Sequence, residues 1–291
     1  MELEGRSAVI TGAGHGIGRA IALELAKAGV NVAVADIDKD AAEAVAAEVA
    51  EHGVASLAAK VDVAREQDLV LLADRAFAAF GSVEVLVNNA GIIPDSRKLW
   101  QFSAEDFDWC FAVNVRGVMN GIRAFVPRFL TSDTPAWVVN TGSEHSLGIP
   151  HLRAGIYTAT KHAVLGLSDV LKRELPPHVG VSVLCPGIVD TTLWRATERR
   201  QDAHGGSASA DPAAANVMQH GLPAEQVGQK VREAIEQEHF FILTHPHVVK
   251  FARERWEAIE EAFAKQAPRY DGDEAYDVTH IARRLRDAEA R

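Results

Sequence analysis

Short apolar runs rich in Val, Ile and Ala alternate along this chain with longer stretches whose apolar residues recur at helical spacing. Seven runs predict strands: 7–11, 31–35, 55–61, 85–87, 136–140, 181–184 and 240–243. Between the first two lies IGRAIALELAKAG, an amphipathic helix closed by Gly29 as its C-cap. DKDAAEAVAAEVAEHG repeats the pattern and stops at Gly53. Strands that are apolar throughout bury both faces, so their sheet is parallel and lies between helices. Right-handed crossovers then give a doubly wound α/β fold of about seven strands, whose ligands bind beyond the carboxyl ends of the strands.

The alternation weakens after Pro186. ATERRQDAHGGSASADPAAANVMQHGLP is polar and rich in Gly, Ser, Ala and Pro. Such a stretch is either a mobile surface loop or a lid, and residues of about 192–223 are expected to form a lid. VVKFARERWEAIEEAFAKQ is an amphipathic helix with Val249, Ala252, Trp256, Ile259 and Phe263 on one face. The expected organisation is one large domain over 1–247, lid included, and a helical extension over 248–291. The charged tail from 268 packs on the body, pairs with another subunit or stays loose.

Composition narrows the function classes. Of 291 residues, 47% are apolar and 24% charged, as in a soluble globular protein. A formal net charge of −10 argues against a nucleic-acid partner, which clustered Lys and Arg would serve. No apolar run approaches the roughly 18 residues of a membrane span, and the early acids of MELEGRSAVITG predict no export signal. Cytoplasm is the expected location. Cys110 and Cys185 are the only cysteines, so two buried thiols are expected rather than a disulfide framework. No metal is expected.

VITGAGHGIGRA follows the first strand and opens the first helix. Its Thr11, Gly12, Gly16 and Gly18 give T-G-x-x-x-G-x-G. Glycines let a backbone turn tightly and approach a ligand where a Cβ would clash. The helix N-terminus beyond offers free N–H groups to a pyrophosphate. Asp36 ends the second strand, where a carboxylate can accept from both ribose hydroxyls of an adenosine and would repel a 2′-phosphate. No Arg or Lys stands beside it: Ile37 follows, and the turn carries His15. NAD is therefore expected over NADP. Further on, YTATK places Tyr157 and Lys161 on one helix face. A nearby ammonium stabilises phenolate, so the tyrosine pKa is expected to fall from about 10 towards the range of a working acid or base.

The stretch VVNTGSEHSLG sets Ser143, Glu144 and His145 side by side. A hydrolase would carry G-x-S-x-G at a strand-to-helix elbow, with its acid and histidine far downstream. Here the second glycine is missing, and neighbouring side chains on an extended chain splay apart. Ser143 is thus read as a hydrogen-bonding group at the tip of the fifth strand, with Ser146 as its rival. Glu144 and His145 are either solvent-facing loop residues or the mouth of a pocket.

Taken in order, TGAGHGIG, the DV of 62–63, NNAG at 88–91, Asn114 in FAVNVRG, VVNTGS, YTATK and PGIVDT resemble the short-chain dehydrogenase/reductase family over residues of about 5–245. The resemblance implies a Rossmann-type dinucleotide-binding and catalytic domain. It implies a catalytic set of Asn114, Ser143, Tyr157 and Lys161. In it Ser143 binds the substrate oxygen and Tyr157 transfers the proton. Lys161 holds the nicotinamide ribose and lowers the tyrosine pKa, and Asn114 holds a kinked helix and a relay water. Around the cofactor it implies Gly12, His15, Gly16, Ile17, Gly18, Asp36, Ile37, Asp62, Val63, Asn89, Ala90, Gly91, Tyr157, Lys161, Pro186, Gly187, Ile188 and Thr191. The expected substrate pocket is built from Ser143, His145, Leu147, Ile149, Tyr157, Leu193, Trp194 and Met218, with Ile93 and Val217 nearby. The activity implied is NAD-dependent interconversion of a secondary alcohol and a ketone, on a bulky hydrophobic substrate. The stretches EDFDWCFAVNVRGVMNGIRAFVPRF and HGLPAEQVGQKVREAIEQEHFFILTHP resemble the longer-tailed bacterial members of the family, which span many substrates and include dehydrogenases of lignin-derived aryl alcohols. Arg153 and Arg195 either meet a substrate carboxylate or are solvated. Alternatives are an NADPH-dependent carbonyl reductase of the same fold and a non-catalytic nucleotide sensor. A homodimer or homotetramer is expected, with no nucleic-acid or membrane partner.

Overall fold

The computed structural model describes residues 1–149, 151–210 and 212–289. Pro150, Asp211 of the expected lid, and the last two residues of the tail lie outside the described residues. The chain divides into two units, 1–248 and 249–291.

The first unit is built on a seven-stranded sheet of β1 (Ser7–Thr11), β2 (Asn31–Asp36), β3 (Ser56–Lys60), β4 (Val85–Asn88), β5 (Ala136–Thr141), β6 (Val179–Cys185) and β7 (Phe241–Leu243). Every pairing is parallel, in the order β3-β2-β1-β4-β5-β6-β7. The order reverses between β1 and β4, which opens a crevice at the carboxyl ends of these strands. Helices α1 (Gly16–Lys27), α2 (Lys39–Ala50) and α8 (Ala224–Glu236) bury their apolar stripes on one face of the sheet. Helices α3 (Glu66–Phe80), α4 (Ala104–Phe111), α5 (Gly117–Phe129) and α6 (Gly155–Glu174) cover the other. Such a two-faced sheet is the doubly wound architecture the strand pattern predicts.

Two interruptions position the site. Between α4 and α5 the helix widens into a π turn, Ala112–Arg116. Single π turns mark places where a side chain has been re-aimed, and here it is Asn114. After β6 the chain forms 3-10 turns at Leu193–Arg199 and Asp202–His204 and then α7 (Pro212–Met218). This excursion is tied back to the sheet end: Asp190 N donates to Leu222 O and Leu222 N to Ile188 O, each at 2.9 Å.

The second unit carries α9 (Val249–Gln266) and α10 (Val278–Glu289), joined through a 3-10 turn at Asp273–Tyr276. Arg269 closes that turn onto Asp273 and Glu274. Both cysteines are buried free thiols. Among the described residues no helix is long and apolar enough to cross a membrane.

Candidate active site

The crevice beyond the strand ends is a cleft of about 520 Å³. Its first wall is the turn from β1 into α1. Gly12 has φ +62°, and a Cβ there would stand 2.7 Å from Ala90 Cα. A Cβ on Gly18 would stand 2.2 Å from Gly12 O. Glycine is therefore required at both positions by backbone contact alone. The turn is stitched to the loop after β4. Asn89 Nδ2 donates to Thr11 O and Gly12 O at 3.0 and 3.1 Å, and Thr11 Oγ1 accepts from Asn89 N and Ala90 N.

Asp36 sits at the tip of β2, 8% exposed. Gly14 N donates to its Oδ2 at 2.8 Å and Asp38 N to its Oδ1 at 3.0 Å. Each oxygen keeps further accepting capacity and the residue lines the cleft, so the carboxylate is both fixed and able to accept more. On the other side of the turn, His15 Nε2 accepts from Arg199 Nη2 at 3.5 Å, since a guanidinium can only donate. The ring proton then resides on Nδ1, which is buried without a partner among the described residues. Burial and the Arg199 charge hold the His15 pKa below its ordinary value.

The opposite wall carries the proton chemistry. Ser143, Tyr157 and Lys161 are all buried and all line the cleft. Lys161 Nζ donates to Thr141 O at 2.8 Å and lies 5.5 Å from the centre of the Tyr157 ring. Burial drives the lysine pKa from 10.5 down to about 8. The tyrosine departs from the sequence expectation. Burial pushes its pKa up to about 12, against the downward pull of the Ser143 hydroxyl. Desolvation of the phenolate is the largest influence and outweighs that pull.

Asn114 stands behind this wall rather than in it. Its Nδ2 donates to Ile92 O at 2.9 Å and Thr160 Oγ1 at 3.1 Å, while its Oδ1 accepts from Ile92 N at 2.8 Å. The π turn thus clamps the loop that follows β4, leaving one lone pair of Oδ1 for a water. Ser146, the rival serine, is occupied elsewhere: its hydroxyl donates to Lys161 O at 2.7 Å and accepts from Ser143 N. It takes no part in the cleft lining, whereas Ser143 does.

All eighteen positions expected around the cofactor line this one cleft, from Gly12 on the first turn to Thr191 after β6. Of the expected substrate residues, Ser143, His145, Tyr157, Leu193, Trp194 and Met218 line it, as do Ile93 and Val217. Leu147 and Ile149 do not. Glu144–Ser146 is a 3-10 turn, which rotates successive residues by roughly 120°. His145 lines the cleft, whereas Leu147, just past the end of the turn, does not. Ile149 is exposed, in a shallow hollow with Leu99 and Trp100. Glu144 and His145, either solvent-facing or pocket-lining by sequence, are both buried and line the cleft. Of the two arginines, Arg153 lines the cleft and Arg195 pairs with Glu198 instead.

Several residues of the site escape the sequence reading. His245, just past β7, braces the loop after β6: its Nδ1 accepts from Gly187 N at 3.1 Å and its Nε2 meets Ile188 O at 3.1 Å. Its place beyond the carboxyl end of a strand was the available signal. Arg200 roots the excursion by pairing with Asp106 at 2.7 Å and covering Trp109. Despite burial, the Asp106 carboxyl is held below its ordinary pKa by the Ser103 N–H and by Arg200. No sequence spacing announces that pair.

A family model described as short chain dehydrogenase matches residues 6–202. The 1-deoxy-11-beta-hydroxypentalenate dehydrogenase of Streptomyces exfoliatus is 35% identical over 247 residues, 84% of this chain and 85% of that protein. The C alpha-dehydrogenase of Sphingobium sp. (strain NBRC 103272 / SYK-6) is 27% identical over 269 residues, 90% of this chain and 88% of that protein. Among solved structures, a short chain dehydrogenase/reductase from Burkholderia phymatum in complex with NAD is similar with a TM-score of 0.85. It is 38% identical, over 90% of this chain and 96% of that one.

Proposed function

The chain belongs to the short-chain dehydrogenase/reductase family, and from that premise we propose that it oxidises a bulky hydrophobic secondary alcohol to the ketone with NAD. One observation carries the reading: Ser143, Tyr157 and Lys161 line the same cleft as the glycine turn and Asp36. The residues fit a dinucleotide. Gly12 and Gly18 leave no room for a Cβ but leave backbone N–H groups at a helix start. The unpartnered Nδ1 of His15 is a buried donor awaiting an acceptor. Asp36 holds open lone pairs for ribose hydroxyls and its charge disfavours a 2′-phosphate, which supports NAD over NADP.

A nicotinamide held by these residues would supply the acceptor for the hydride that leaves the carbinol carbon. Tyr157 takes the hydroxyl proton as the C–H bond breaks. Ser143 donates to the substrate oxygen and holds it against the tyrosine. Lys161, fixed through Thr141 O, would hold the ribose hydroxyls, and the proton taken by Tyr157 would leave through a ribose hydroxyl and the lysine to a water held by the free lone pair of Asn114 Oδ1. Apolar residues around the reacting position, Ile93, Trp109, Leu193, Trp194 and Met218, favour a large ring-bearing alcohol. The two dehydrogenase relatives, one named for a hydroxypentalenate, support the same class.

The test is NADH formation across a panel of aryl, terpenoid and steroid-like secondary alcohols, with NAD and NADP side by side. Turnover with NAD on one hydrophobic class is expected. Preference for NADP would overturn the argument from Asp36. Silence across the panel, with NADH still bound in calorimetry, would overturn the substrate class and leave the cofactor reading standing.

A further inference from the structure

The turn after Ser143 and the approach to α6 gather three side chains that the proton chemistry does not use: Glu144, His145 and His151. Glu144 and His145 are buried and His151 is exposed. One ligand-capable atom of each lies within 4.8 Å of the others. His151 Nε2 stands 3.0 Å from Glu144 Oε1, and the two imidazole rings are 5.4 Å apart.

Hydrogen bonding settles the tautomer of the buried histidine. The Thr158 hydroxyl donates its only proton to Ala154 O at 2.9 Å. The 2.7 Å contact between that hydroxyl and His145 Nδ1 must then be an N–H of the ring donating to Thr158. His145 Nε2 keeps its lone pair and has no hydrogen bond among the described residues. A histidine whose Nδ1–H is fixed on an oxygen, with Nε2 free, is the arrangement that metal-binding imidazoles adopt.

We propose that Glu144, His145 and His151 form a site for one divalent cation of the zinc class at the mouth of the catalytic cleft. Two imidazoles and a carboxylate suit zinc, cobalt or nickel rather than magnesium or calcium, which prefer all-oxygen shells. Donors around a tetrahedral zinc stand about 3.4 Å apart, so the widest pair must close by roughly 1.4 Å. The half-exposed side chain of His151 is free to adjust, and the rest of the closure falls to the buried pair. The other oxygen of Glu144 lies 4.0 Å from His247 Nε2, which steadies the carboxylate. The ring of His145 meets Tyr157 edge-on at 5.2 Å. A bound cation therefore caps the alcohol side of the cleft and leaves the glycine turn free. This last consequence rests on the dehydrogenase reading; the binding itself does not.

The experiment is equilibrium dialysis of the full, untagged chain against zinc chloride, with cobalt chloride as a spectroscopic probe of tetrahedral coordination. One zinc per chain is expected, with tetrahedral cobalt bands. His151→Ala and His145→Asn should each weaken binding at least tenfold, with the thermal midpoint of His151→Ala unchanged. Absence of stoichiometric zinc would overturn the proposal. So would wild-type affinity in both variants, which would put the ion elsewhere among the twelve histidines. In turnover assays zinc should compete with the alcohol and not with NAD. Should no alcohol turn over, the dialysis result stands on its own and only the dehydrogenase reading fails.

Discussion

Tyr157 shows how far a residue type in a pattern can be read and where the reading stops. The four-residue spacing to Lys161 does put both side chains in one buried place. It does not reveal that Lys161 spends a proton on Thr141 O, nor that burial, chief among several influences, lifts the phenol to about 12. Burial and backbone partners are properties of the fold, so the direction of the shift was not legible. The group is thus protonated in the free protein at neutral pH. An oxidised nicotinamide brings positive charge that would favour the phenolate. The acidic limb of the pH–rate profile with NAD, along which activity rises as the phenol ionises, is therefore expected well below 12, and a rate with no such rise would separate Tyr157 from the proton transfer. Tyr157→Phe should lower kcat by about 10²–10⁴-fold, the usual worth of a general acid or base, with NADH affinity kept. Full turnover in that variant would remove the assignment. Glu144 and His145 repeat the lesson: the sequence left a solvated loop and a pocket mouth both open, and the 3-10 turn that buries both against the cleft decides between them.

At the scale of elements, the alternation of apolar runs was legible because parallel strands bury both faces, while their ends were not. The sixth strand reads as 181–184 because Gly180 interrupts the apolar run, yet β6 starts at Val179. There the missing side chain is the floor for Trp137, whose ring would stand 1.9 Å from a Cβ, and whose Nε1 donates to Ser182 Oγ. Gly180→Val should cost at least about 1–3 kcal/mol in denaturant unfolding, as overpacking does. The excursion after β6 was legible only as polar composition. What holds its base is a contact between distant segments, Arg200 on buried Asp106. Arg200→Ala removes the shortest ion pair of that carboxylate, which keeps the Ser103 N–H and the more distant Arg97, and should cost about 1–3 kcal/mol of stability. Because it loosens the wall of the alcohol side, KM for the alcohol should rise several-fold more than kcat falls. An unchanged KM would mean that the excursion does not shape the substrate pocket.

Across the whole molecule, the site is held at a cost that the rest of the fold offsets. Lys161 is a buried ammonium with no carboxylate partner among the described residues, and its pKa falls from 10.5 to about 8. The folded state therefore binds fewer protons than the unfolded chain between those values, and stability rises with pH across that window. Below about pH 8 the full cost is felt; above about 10.5 both states are neutral and it vanishes. A shift of this size corresponds to roughly 3 kcal/mol, reduced by the hydrogen bond that Thr141 O would lose on substitution. Lys161→Met should thus raise stability by about 1–2 kcal/mol at pH 7 while abolishing turnover, and the gain should shrink towards zero near pH 10. Tyr157, raised from 10 to about 12, acts in the opposite sense above pH 10 in both proteins and cancels from the comparison. Urea unfolding of wild type and variant at pH 7 and pH 10 checks this. A variant less stable at pH 7 would mean that Lys161 is favourably solvated inside the fold, and that its role in catalysis carries no stability cost.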